Sequence, residues 1–164
     1  MLESNIKSLY DSFAPCGCFT AFENQTTDFI KEYTYWFLAL NQKQEFLARS
    51  LLILKKHKTD ESELTDEEVL EKHHIYCAWK KAIDHAFRPD KINQALSCNE
   101  ERLHHGHLHW HFIPRYRRPI SFANQYFFHD TPETQSLPIR SIETKAVYLS
   151  DTRELIKKEL VRYL

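Results

Sequence analysis

The chain has 164 residues, 42% of them apolar and 13% aromatic, with a formal net charge of -1. That supplies the core of one domain, residues 1–164, and leaves no overall field to draw in a nucleic acid polymer or an anionic membrane. Only two glycines occur, Gly17 and Gly106, which excludes the glycine-rich phosphate loops. Met1 to Lys7 show no basic region followed by an apolar run, no stretch reaches the roughly 18 apolar residues of a membrane span, and the four cysteines lack a secretory context. A cytoplasmic protein with reduced thiols is expected.

In chain order, Leu2, Ile6, Leu9, Tyr10 and Phe13 recur at helical spacing before Pro15 and predict a short amphipathic helix. Cys16-Gly17-Cys18 follows. The aromatic and apolar run from Tyr33 to Asn41 predicts a buried strand. Gln42 to Ala48 is a polar connection, and Arg49 to Lys56 a second strand that closes on His57. Thr65-Asp66-Glu67-Glu68 is a capping box: the Thr65 hydroxyl accepts from the Glu68 amide while the Glu68 side chain reaches back. A long helix should follow, with Val69, Tyr76, Trp79, Ile83, Ala86 and Phe87 as its apolar stripe and Arg88-Pro89 as its end. His73, beside that stripe, and His74 and His85, off it, have no partner in the sequence and read as structural or solvent-facing.

Lys91 to Leu96 predicts another strand, and Asn99 to Gly106 a polar turn. That turn leads into His107-Leu108-His109-Trp110-His111-Phe112-Ile113, where imidazoles and large apolar groups alternate. An extended backbone sends all three imidazoles to one face, at spacings of about 6.5 to 7 Å, and Leu108, Trp110 and Phe112 to the other. A helix would scatter them. By spacing alone such a face suits a phosphate, a metal ion or a pH-titrating surface. Arg115 to Pro119 is basic, with Arg115 on the imidazole side of the strand; Phe122 to Arg140 reads as loop, and Ser150-Asp151 opens a final helix bearing Leu155, Ile156, Leu160 and Tyr163. These elements predict an α+β fold: a mainly antiparallel sheet of about five strands, a long helix across one face and a C-terminal helix.

The alternating run resembles the signature of the histidine triad superfamily of nucleotide hydrolases and transferases, His-φ-His-φ-His-φ-φ with φ apolar, and fills all seven positions. The resemblance extends to a strand ending in Asn41 and a second closing on Lys55-Lys56-His57, although Ala48-Arg49 stands where the superfamily has Gly-His or Gly-Arg. It implies that Asn41 contacts the ribose of a nucleotide and that His57 is a fourth active-site histidine. It implies phosphate contacts from the turn before the triad by an asparagine, Asn93 or Asn99, although Glu100, Glu101 and Arg102 replace the usual small residues; the charge of Arg102 suits a leaving phosphate, and the two adjacent acids oppose it. The cysteine pair of many members binds structural zinc, but their spacing is Cys-x-x-Cys, and Cys16-x-Cys18 suits tetrahedral zinc less readily. Members form symmetric dimers, so a homodimer is expected by analogy.

The middle histidine of the triad is the superfamily's nucleophile, so the resemblance assigns that part to His109, with His111, His107 and His57 completing the catalytic set and no metal required. A third histidine instead of glutamine points to the hydrolytic branch, acting on dinucleoside polyphosphates or nucleoside phosphoramidates. Two other readings remain open at this point. One is a nucleotide sensor without catalysis, and the other a zinc protein using His107, His109 and Cys16 or Cys18.

Overall fold

The computed structural model describes residues 28–98, 106–130 and 150–164. The expected first helix, Cys16, Cys18, Asn99 and Arg102 lie outside the described residues. Strands β1 (Phe29–Glu32), β2 (Trp36–Leu40), β3 (Ser50–Leu54), β4 (Lys91–Ser97) and β5 (His109–Arg115) form one antiparallel sheet in the order β1-β2-β3-β5-β4. Helix α1 (Asp66–Ala86) packs across one face, β6 (Ile120–Phe122) and β7 (Gln125–Phe127) make a separate hairpin, and helix α2 (Ser150–Val161) ends the chain. This is the α+β architecture that the sequence predicts. No helix among the described residues is long and apolar enough to cross a membrane.

Pleating decides which face α1 covers. Trp36, Leu38 and Leu40 of β2, Leu52 and Leu54 of β3 and Phe112 of β5 alternate onto the helix side and are buried there with Ile75, Trp79, Ala82 and Ile83. Trp79 anchors the contact: its ring centroid lies 5.0 Å from that of Phe112, and its indole N–H donates to Ser50 Oγ at 3.0 Å. Burying such a side chain contributes about 1.5–3 kcal/mol. One stripe residue differs from expectation. Val69 is 43% exposed, because the inward line runs through Glu68, Ile75, Trp79 and Ala82 and leaves Val69 on the flank.

The capping box forms as predicted, Glu68 N donating to Thr65 Oγ1 at 3.3 Å and Thr65 N to Glu68 Oε2 at 2.8 Å. At the other end Arg88 takes a φ of 50° before Pro89 and turns the chain out of the helix. Two features were not predicted. β1 is a short edge strand without apolar alternation. Residues 120–127, the latter part of which reads as loop, form a hairpin around Ala123 and Asn124, whose φ values of 50° and 60° make a two-residue turn of the primed kind.

Candidate active site

The face of the sheet away from α1 carries the imidazoles. His109 pairs with Ile53 and His111 with Leu51 across the β3–β5 ladder, and on the other side they pair with Ser97 and Ala95 of β4. His107 precedes β5 but is held by the same ladder, since Leu108 N donates to Lys58 O at 2.9 Å and Leu54 N to Leu108 O at 3.4 Å. His107 and His109 are 0% and 3% exposed, and His111 is half-buried.

Hydrogen bonds to backbone carbonyls fix the tautomers, because a carbonyl oxygen only accepts. His107 Nε2 donates to Leu54 O at 2.6 Å, so a neutral His107 ring accepts at Nδ1, where His57 Nδ1 lies 3.4 Å away as the donor. His109 Nδ1 donates to His107 O at 2.9 Å, which puts the lone pair of a neutral His109 ring on Nε2. The His109 and His111 ring centroids are 5.0 Å apart, and those of His57 and His107 5.5 Å. All four predicted histidines are therefore brought together, with His57 entering through His107.

The far end of this row is a residue to which the sequence assigned no role. Arg49 Nη2 donates to His111 Nδ1 at 3.3 Å, while Arg49 Nη1 donates to Glu45 Oε2 at 3.0 Å. A neutral His111 ring then carries its proton on Nε2. Arg49 is 8% exposed, and its Nε is buried without a hydrogen-bond partner. Burial holds the guanidinium below its ordinary value, against the opposing pull of Glu45. The signals for Arg49 in the sequence were its place at the head of the second predicted strand and its match to the second position of the superfamily's Gly-His or Gly-Arg pair.

Arg49 is positioned by the 42–48 loop. Asn41 N donates to Arg49 O at 2.9 Å, and the Gln44 side-chain amide donates to Arg49 O at 2.7 Å and Asn41 O at 2.6 Å. The turn is made without glycine: Ala48 adopts a φ of 64°, which costs an L-residue about 1–2 kcal/mol, while its methyl is fully buried. Asn41 shares the imidazole face by alternation, on the level of Arg49, and its Oδ1 accepts from Lys43 N at 2.8 Å.

Arg115 is also on the imidazole face. It is buried, donates through Nε to Asp130 Oδ1 at 2.8 Å and lies 4.7 Å over the Phe46 ring. Asn93, the other asparagine considered for phosphate contact, is opposite Ile113, one pleat beyond His111, in a polar cleft with Lys91 and Arg117. Among the described residues no three His, Cys, Asp or Glu side chains converge in a group able to hold a metal ion.

A five-stranded sheet of this order, with its imidazoles opposite the long helix, is the histidine triad fold, and solved structures bear this out. A histidine triad protein of Bradyrhizobium japonicum matches with a TM-score of 0.65 at 14% identity, over 88% of this chain and 94% of its own. The Plasmodium falciparum diadenosine triphosphate hydrolase matches with a TM-score of 0.55 at 14% identity, over 84% and 76%. A uridylyltransferase matches with a TM-score of 0.61 at 15% identity over 99% of this chain, which spans 50% of that structure's chain. At these identities the likeness establishes the fold. No family model and no curated protein matches the sequence.

Proposed function

We propose that this protein is a nucleotide hydrolase or transferase that acts at the α-phosphate of its substrate through a nucleotidyl-histidine intermediate. The observation that carries the reading is the tautomer of His109, whose Nδ1–H is tied to the His107 carbonyl so that the lone pair falls on Nε2. Nε2 forms a bond to the α-phosphorus, the bond from phosphorus to the leaving group breaks, and water later cleaves the P–N bond and returns the neutral imidazole. His111, its Nε2–H set by the Arg49 contact, donates to the phosphate oxygens as negative charge develops. His107 and His57 hold the tautomer of the row.

Asn41 contacts the ribose, and Asn99 and Arg102 meet the phosphates on the leaving side; the superfamily motif supports Asn41 and an asparagine ahead of the triad, while Arg102 stands where the motif has small residues and is assigned on its charge. The third histidine favours water as acceptor, and thus hydrolysis of dinucleoside polyphosphates or nucleoside phosphoramidates. We place the enzyme in a homodimer. β4 is an edge strand with half-buried Ile92 and Leu96 on its helix side, and an edge of that kind pairs readily with another chain.

The test is a panel of such substrates assayed with the native chain and with His109→Asn. The variant is expected to keep its fold and nucleotide affinity while turnover falls by about two to four orders of magnitude. Unchanged turnover would remove the hydrolase reading, and nucleotide binding without turnover in the native chain would favour a sensor.

A further inference from the structure

Helix α1 carries a pair of side chains whose types can ligate a metal, His73 and Cys77, on the other side of the sheet from His109 and His111. His73 and Cys77 stand at i and i+4, the spacing that stacks two side chains on one helix face and that paired helical zinc ligands use. His73 is exposed and Cys77 is a half-buried free thiol, with Cys77 Sγ 3.6 Å from His73 Nε2. A tetrahedral zinc ion, with nitrogen at about 2.0–2.1 Å and sulfur at about 2.3 Å, sets those two donors about 3.6 Å apart. The two side chains therefore already span one edge of the zinc tetrahedron. Of the cations along this stretch of α1, Lys80 is paired with Asp84, Lys72 lies 3.9 Å over the Trp110 ring, and Lys81 stands one turn beyond Cys77.

We propose that His73 and Cys77 form a bidentate surface site for a thiophilic divalent cation, zinc, separate from the triad. Thiolate and imidazole together select zinc over magnesium or calcium, which prefer oxygen ligands. Binding releases the thiol proton to solvent and leaves Cys77 as a zinc thiolate. Because no third ligand converges on the pair among the described residues, solvent completes the coordination.

The experiment is alkylation of the native chain by iodoacetamide with and without zinc, with the Cys77 peptide quantified by mass spectrometry apart from those of the other cysteines. Zinc is expected to slow alkylation of Cys77 at least about tenfold in the native chain and to leave it unchanged in His73→Ala. Position 73 is exposed on a helix and alanine is the best helix former, so that variant keeps its fold. Equal alkylation rates with and without zinc in the native chain, or protection that survives in His73→Ala, overturns the site.

Discussion

Arg49 joins the histidine row to the loop that shapes it, and its planar fork makes that possible, because one nitrogen faces His111 while another faces Glu45. A lysine offers a compact ammonium that does not span both partners. Arg49→Lys is therefore expected to keep a buried cation beside Glu45 but release His111, lowering kcat by about ten- to a hundredfold with KM little changed. Steady-state kinetics normalised to folded protein checks this, because a role confined to stability leaves kcat per folded molecule as it was. The three triad histidines were legible in the sequence because strand alternation is strict. His57 came from the resemblance and is confirmed as a neighbour of His107 by their 3.4 Å contact. Arg49 was not legible as part of the row, because its contact depends on the register of β3 against β5, between residues 62 apart in the chain.

At the scale of elements, the start of α1 fastens the helix to the segment after β3 that holds the head of the triad. Glu68, besides capping the helix, forms a buried ion pair with Lys58, whose carbonyl accepts from Leu108 N at 2.9 Å. The cap was legible as Thr-x-x-Glu, but the ion pair was not, since nothing local marks Lys58 among three successive basic or imidazole neighbours, Lys55, Lys56 and His57. Glu68→Gln keeps an oxygen for the cap but leaves the Lys58 ammonium buried without its counter-charge, and should cost about 3–5 kcal/mol. Thr65→Ala removes one cap hydrogen bond and should cost about 1 kcal/mol. Urea denaturation of the two variants measures the difference, and equal losses would mean that the ion pair contributes nothing beyond the cap. The β6–β7 hairpin was illegible for another reason: primed turns favour Asn-Gly or Asp-Gly, and this chain places Ala123-Asn124 there. With two glycines in all, Gly106 takes one left-handed position, and the others among the described residues fall to Ala48, Arg88, Ala123 and Asn124, so the usual punctuation is largely missing from the sequence.

Across the whole molecule, residues far apart in the chain are joined where α2 meets the start of β1. Asp28 Oδ1 accepts from Arg153 Nε at 2.8 Å, and Asp28 Oδ2 is buried without a hydrogen-bond partner. Two effects oppose each other at this carboxyl: burial raises its pKa, the Arg153 pair lowers it, and burial wins, so the folded value lies above the ordinary 3.8. The folded state thus keeps the proton to higher pH than the unfolded chain does. The contribution of Asp28 to stability is fully present below the ordinary carboxylate value and declines as pH rises through the raised one. Asp28→Asn keeps an oxygen for Arg153 and removes the titration, so its stability relative to the native chain should improve as pH rises through that window. Arg153→Ala has the opposite effect at neutral pH, leaving a buried carboxylate with no hydrogen-bonded partner and Lys157 as its remaining counter-charge, at a cost of about 3 kcal/mol, a loss that shrinks in acid as Asp28 takes up its proton. Urea midpoints of the three proteins, followed from acid to neutral pH, check both directions, and parallel pH profiles for the native chain and Asp28→Asn would show that the raised carboxyl does not govern how α2 is held.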